Sequence, residues 1–541
     1  MRLNVFSIIL SLLVATAAQA DQRVLVIMKD KASFKTAHAA YQMQSAYPLK
    51  AGSSVQVKGQ VTDSLHNLNT LVVTVQNDAE MAKIKAIPGV VYVEKEVFHE
   101  APRPHAGALS VKAAQTRFKK ATIGKDTPWG IMAVKAPAAW NKAARGAGAR
   151  VLVLDTGIDA NHPSLKDNFE KGQDFTGAST GEDYNDENGH GTHVAGTIAG
   201  ELDNTGFTGV APLARVLAGR VCSSQGCSNI AIAQGVNWGI QENVDVISMS
   251  LGGMWSTPAE RDAIAKADAA GITVVAASGN SGTPRVSYPA ALPTVIAVGA
   301  IDIDLKKADF SQWGPELAIV APGVAVISSV PMGTGRESSV SITVGQTTAA
   351  VKSSTFQGAK EVLSPESNEL VAAGLGKVED FAKANVTGKY ALISRGEIAF
   401  ADKAANAIKA GAAGVVIYNN APGLIQGALT QDGSVLPVPV FMIEQTVGNE
   451  ILKSLAAGTV VKATLQTVAT NYSAFDGTSM ATPHVSGVVA LMKAANKKLT
   501  PAQVKAIIQS TATALGPNTA NEYGAGLIDA EKAVNAAISA K

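Results

Sequence analysis

The chain has 541 residues, 46% hydrophobic and 17% charged, with a formal net charge of +2. That length predicts two or three folded units with sizeable cores, and the balanced charge gives no field that would gather nucleic acid or anionic membrane. Neither is therefore expected as a partner.

The chain opens with MRLNVFSIILSLLVATAAQA. A basic start, an apolar run and a small-x-small end predict a secretory signal peptide over residues 1–20, removed after Ala20. The apolar run is shorter than the ~20 residues of a spanning helix, and no later stretch is longer. The mature protein is expected to be exported, extracellular or periplasmic, with no membrane span.

Residues 21–100 read as strand, helix, two strands, helix and strand, from QRVLVIMKD to GVVYVEKEVF. That order fits a small ferredoxin-like α+β unit. Residues 101–127, polar and rich in Pro and Lys, read as a linker. From residue 128 to 337, continuous apolar runs (VLVLD, ARVLAGRV, VDVISMSL, ITVVAASG, TVIAVGA) alternate with helical patterns. Strands apolar on both faces, separated by helices, predict an α/β, doubly wound parallel sheet. Residues 338–470 interrupt the pattern with a strand, an Ala-rich helix and a further strand. They read as an inserted domain, after which residues 471–541 resume the core. Two cysteines, Cys222 and Cys227, flank Gly226, and export makes a local disulfide between them the natural reading.

In an α/β sheet of this kind, reactive groups gather beyond the carboxyl ends of the strands. Asp155, Ser250 and Asn280 stand at three such ends. Near the carboxyl terminus, FDGTSMATPHVSG places Ser479 where a small-residue helix opens, with Pro483 expected in its first turn. A serine hydroxyl becomes nucleophilic when a base takes its proton and a third group holds that base. Of eight histidines, His190 in DENGHGTHVAGTIAG is flanked by glycines where a helix begins. His193 reads as a buried, hydrogen-bonded neighbour, and His162 and His484 as structural. Asp155, directly after VLVL, is the acid that the sheet positions, whereas Asp159 lies further into the turn and reads as structural. The His190/His193 pair lacks the third ligand and the spacing of a zinc site.

The chain order Asp…His…Ser is that of subtilisin, not of chymotrypsin or the α/β-hydrolases. VLVLDTGID, NGHGTHVAGTIAG, SLGG, AASGN and GTSMATPHVSG together resemble the subtilisin-like serine proteases over Pro128 to about Ile327 and about Ala474 to Ala530. The resemblance implies that Asp155 orients His190, His190 is general base and then acid, Ser479 is the nucleophile, and Asn280 donates to the oxyanion with the Ser479 N–H. It also implies two cleft edges that take a peptide as an added strand, Ser250-Leu251-Gly252-Gly253 and Ala277-Ser278-Gly279. Their small, uncharged residues suggest apolar preference at the cleaved position. Residues 21–100 resemble the family's inhibitory propeptides, with processing somewhere between Phe98 and Asp126. GKYALISRGEIAFADKAANAIKAGAAGVVIYNN resembles a protease-associated (PA) domain, expected to steer substrates or cover the cleft. No cofactor is expected for catalysis. A structural Ca²⁺ would involve Asp203, although Ser164 stands where the family usually has a carboxylate. The expected partners are protein and peptide substrates and the chain's own propeptide, and a monomer is expected. The rival readings are a scaffold without turnover, and an esterase or transpeptidase using the same triad.

Overall fold

The computed structural model describes residues 21–42, 47–48, 54–55, 60–102, 105–106, 127–177, 183–202, 207–425, 429–430 and 434–540. The expected signal peptide and Asp203 lie outside the described residues. The chain divides into two compact units, one ending at Val97 and the other running Phe98–Lys541.

In the first unit the strands Gln22–Met28, Gln60–Leu65, Thr70–Val75 and Val90–Lys95 form an antiparallel sheet. In chain order they stand second, third, first, fourth. Alternate residues Val24, Val26 and Met28, joined by Leu71, Val73 and Val75, share one face with Phe34 and Ile84 from the helices Lys31–Gln42 and Asp78–Lys85. The second helix starts at Asn77, whose side chain accepts from Glu80 N at 3.0 Å.

The second unit is built on seven parallel strands. They stand in the order Phe169–Asp174, Arg215–Arg220, Arg150–Asp155, Val246–Met249, Thr273–Ala277, Ile296–Ile301, Ile319–Pro322. Five of these are the apolar runs of the sequence. Phe169–Asp174 has no such run because it is an edge strand, half exposed along FEKGQD. The strand order reverses around Arg150–Asp155, so a crevice opens beyond its carboxyl end.

The helix Thr478–Ala495 runs through the middle of this unit, buried from Thr478 to Lys493. Small residues permit that depth: a Cβ on Gly487 would come within 2.5 Å of Val210. Pro483 is not in the first turn as expected but at the sixth position. It therefore withholds the N–H that would bond Ser479 O, and the Ser250 hydroxyl supplies the missing donor at 2.8 Å.

The insertion is wider than its central βαβ pattern. Gly335–Val344 and Val461–Thr470 pair antiparallel over ten residues each, from Gly335↔Thr470 to Val344↔Val461, so the chain enters and leaves side by side. The ribbon is part of an eight-stranded sheet, which also carries the parallel strands Tyr390–Ser394, Gly414–Tyr418 and Val440–Ile443, with the helix Phe400–Lys409 between the first two.

Residues at the start of the expected linker are ordered. Phe98–His99 pairs antiparallel with Gly226–Ser228, and His105–Ala106 pairs with Phe475 and Asp476.

Two core histidines are held neutral. His193 Nε2 lies 2.9 Å from Val326 O, and burial, helped by nearby His190, pushes its pKa down to about 3. His484 Nδ1 lies 2.9 Å from Met480 O, and burial pushes its pKa down to about 4. Both folded values lie below the unfolded one, near 6.5, so the unfolded chain binds more protons in weak acid and stability falls as pH drops through 6.5. At pH 5 each imidazole should cost about 2 kcal/mol relative to pH 7. Denaturant unfolding at both pH values should show this loss, and His193→Gln should remove about half of the dependence.

Candidate active site

Asp155 ends its strand with 1% of its surface exposed, and His190 begins the helix His190–Ala199 equally buried. The two meet as Asp155 Oδ1 to His190 Nδ1 at 2.7 Å. Close approach of strand turn and helix is needed for that distance. A Cβ on Gly191 would lie 2.2 Å from Gly157 O, so only glycine fits. Gly189, before the helix, takes a φ of 95° that other residues rarely adopt.

The sequence reading missed the group that holds this corner, Asp186. Its Oδ1 accepts from Thr156 Oγ1 (2.9 Å) and Gly189 N (2.8 Å), and its Oδ2 from Thr192 N (2.8 Å) and Thr192 Oγ1 (2.7 Å). A buried carboxylate thus takes the Thr192 N–H of the His190 helix, while Asn188 Oδ1 and Thr156 Oγ1 accept from His190 N and Gly191 N, and its charge lies at the positive end of the helix dipole. An acidic residue four positions before His190 was the available signal. Asp159 sits in the following turn, accepting from Asn161 N and Met332 N at 3.0 and 2.9 Å.

Ser479 lies in the first turn of its helix. Its hydroxyl donates to Ser250 O at 3.0 Å, while Ser250 Oγ donates to Ser479 O. This reciprocal pair fixes the serine against the end of the central strand. The Ser479 N–H has no hydrogen-bond partner among the described residues. Asn280 is oriented by its oxygen: Oδ1 accepts from Thr478 N at 2.9 Å and Thr478 Oγ1 at 2.7 Å. Its Nδ2 hydrogens are left for the cleft that Asn280, His190 and Ser479 line together. Two donors and a hydroxyl are therefore presented to one volume of about 450 Å³.

Of the two expected edges, Ser250, Leu251, Gly252 and Gly253 line this cleft, although Gly253 already pairs with Tyr288 through its N–H and C=O at 2.9 and 2.8 Å. Ala277 and Gly279 line it too. Ser278 N donates to Val298 O, Ser278 O accepts from Ser287 N, and Gly279 O accepts from Gln312 N. Those groups are satisfied internally, and Gly226–Ser228 is the strand that pairs with Phe98–His99. Cys222 and Cys227 face each other across the hairpin and are joined by a disulfide, which staples that edge.

Among the described residues no group of three or more His, Cys, Asp or Glu is arranged to hold a metal ion. Ser164, beside the expected calcium loop, has its hydroxyl 2.7 Å from the Tyr472 hydroxyl. Among the described residues no helix is long and apolar enough to cross a membrane.

The subtilase family model matches residues 146–359 and 445–526, and the PA domain model matches residues 364–451. Subtilisin E of Bacillus subtilis is 39% identical over 282 residues, covering 51% of this chain and 67% of that protein. The minor extracellular protease Vpr of the same organism is 31% identical over 479 residues, 77% of this chain and 55% of that protein. The crystal structure of the psychrophilic subtilisin-like protease Apa1 from Pseudoalteromonas sp. AS-11 superposes with a TM-score of 0.58 at 28% identity. The match covers 76% of this chain and 99% of that one. The chain belongs to the subtilase family, as a subtilisin-like serine endopeptidase carrying an inserted PA domain.

Proposed function

We propose that this subtilase is an exported, monomeric endopeptidase made as a zymogen, with Asp155, His190, Ser479 and Asn280 carrying the chemistry. The observation that carries the reading is the convergence of the Asp155–His190 bond, Ser479 and Asn280 on a cleft that the chain's own residues Phe98–Pro102 already line.

In the proposed reaction the Ser479 hydroxyl turns from Ser250 O to His190 Nε2. Its oxygen attacks the peptide carbonyl carbon as the proton passes to the imidazole. Asp155 Oδ1 holds Nδ1–H and stabilises the imidazolium without taking the proton. The carbonyl oxygen, now negative, meets the Ser479 N–H and Asn280 Nδ2, donors already in position before charge develops. Collapse breaks the C–N bond, and His190 gives its proton to the leaving amine. Water, deprotonated by His190, then hydrolyses the acyl-enzyme and restores the serine. The uncharged wall of Leu251, Ala277 and Gly279 supports broad specificity leaning to apolar side chains at the cleaved position. No step needs a metal, and with its hydroxyl engaged Ser164 is a poor calcium ligand.

The pairing of Phe98–His99 with Gly226–Ser228 and of His105–Ala106 with Phe475 and Asp476, together with residues 98–102 lining the cleft of Ser479, supports the zymogen reading. A peptide crossing the nucleophile between those pairings narrows the processing site to the bonds joining residues 99 to 105. Residues 21–100, with the few residues up to the cut, would be the inhibitory propeptide. The disulfide between Cys222 and Cys227 suits an oxidising compartment and supports export. For the PA insert, a role in steering large substrates is supported by a second cavity, about 630 Å³. It is lined by Asn188 and Gly189, next to His190, and by Phe356, Val435 and Phe441 of the insert.

Ser479→Ala should abolish both fluorophosphonate labelling and casein digestion. By intact mass the variant should remain uncut between residues 99 and 105, whereas the wild type is cut there. A wild-type chain that begins at Asp21 after secretion would remove the zymogen reading. Asn280→Ala should keep the fold and lower kcat by about 10²–10³, the scale known for loss of such a donor in subtilisin itself. Excising the insert at its paired ends, Gly335 and Thr470, should slow hydrolysis of casein more than that of a short peptide. Equal effects on both would make the insert a spacer.

A further inference from the structure

The helix Pro258–Ala269 begins with a reciprocal cap: Thr257 Oγ1 accepts from Glu260 N at 3.2 Å, and Glu260 Oε2 accepts from Thr257 N at 2.8 Å. A glutamine at position 260 would serve that cap as well as a glutamate. The second oxygen is not used by the helix. Glu260 Oε1 lies 2.6 Å from His99 Nε2, with only 6% of the glutamate side chain and 4% of the histidine side chain exposed.

His99 reaches this carboxylate from the peptide-like segment in the cleft. Its backbone is held opposite Cys227 in the antiparallel pairing with Gly226–Ser228, and its ring packs against Trp255 at a centroid distance of 5.1 Å. The floor is Gly253, where a Cβ would come within 2.5 Å of His99 Nδ1. Gly253, Trp255 and Glu260 thus form a small side-chain pocket, separate from the Ser479 centre but on the same peptide path. Its one charged group points inward.

We infer that Glu260 is a specificity-determining residue, and that this pocket selects substrates offering a basic side chain, His, Lys or Arg, at the place where His99 now sits. The inference rests on the reading that peptide substrates follow the path of residues 98–102. Once His99 leaves, Glu260 Oε1 faces whatever side chain replaces it. An aliphatic group there would bury a carboxylate oxygen with no donor, and an acidic group would set like charges together. A basic side chain restores the charge-assisted hydrogen bond, an advantage of about tenfold to a hundredfold in kcat/KM. Because the pocket lies upstream of the bond cut, this selection is compatible with apolar preference at the cleaved position itself.

The test is a positional-scanning peptide library digested by the mature wild-type enzyme, Glu260→Gln and Glu260→Leu. The wild type should show one position, upstream of the cut, at which Lys, Arg and His exceed Leu by about tenfold or more. Glu260→Gln retains the cap and should bring Lys and Leu within about threefold of each other at that position. Glu260→Leu should favour Leu there. Basic preference at no upstream position, or a preference unchanged in Glu260→Gln, overturns the inference while leaving the protease intact. If the wild type cleaves none of the library, the proposed peptide path fails, and the inference falls with it.

Discussion

A carboxylate and an imidazole, both withdrawn from water, face each other at 2.7 Å in Asp155 and His190, and much of the second unit is arranged to make that meeting possible. The carboxylate comes from the end of a strand covered on both faces, the imidazole from the first position of a helix. Side chains on these two elements can touch only if the backbone of one passes against the other without a Cβ between them, hence Gly191 against Gly157 O. Asp186 then takes up five donors around the helix start, the Asn188 N–H among them, so that the corner is held by hydrogen bonds instead of by bulk. Such a buried pair is weak evidence for stability, since desolvation offsets most of the attraction. Its value is in fixing one tautomer and one orientation of the ring.

Ser479 is positioned by the opposite strategy. Ser479 belongs to a helix buried over sixteen consecutive residues, Thr478 to Lys493, which the core accepts because the helix is thin. Pro483 breaks one rung of that helix at the serine's own carbonyl. Ser250, from the end of the neighbouring central strand, fills the broken rung and accepts the serine hydroxyl in return. A backbone defect is thereby turned into a tether between helix and sheet. The same turn carries Thr478, whose two donors fix the Asn280 amide. One helix start therefore orients the hydroxyl, the backbone donor and the side-chain donor together.

The wall of the cleft is made of elements whose backbone groups are used internally. Ala277–Gly279 bonds to Val298, Ser287 and Gln312 and offers a smooth face. Gly226–Ser228, stapled through Cys227, pairs with Phe98–His99, and residues 98–102 line the same cleft as Ser479. Leu251, Ala277 and Gly279 give that cleft an uncharged wall, and Glu260 is buried against His99.

Much of this was legible in the sequence because it depends on local patterns. Apolar runs at strand length revealed five of the seven parallel strands, and the glycine-flanked His190, strand-end Asp155 and small-residue helix of Ser479 pointed to their chemistry through spacing and order. The polar edge strand Phe169–Asp174 left no such trace, since a half-exposed strand needs no apolar run. Other features depend on groups distant in the chain. Asp186 as the clasp of the His190 helix, Ser250 as the donor replacing Pro483, and the pairing of Gly226–Ser228 with Phe98–His99 are decided by which groups the fold brings together. The sequence by itself determined the residue types and the order in which they come. Only the tertiary structure decided which of them meet, because a hydrogen bond between residues hundreds of positions apart has no period and no local signature.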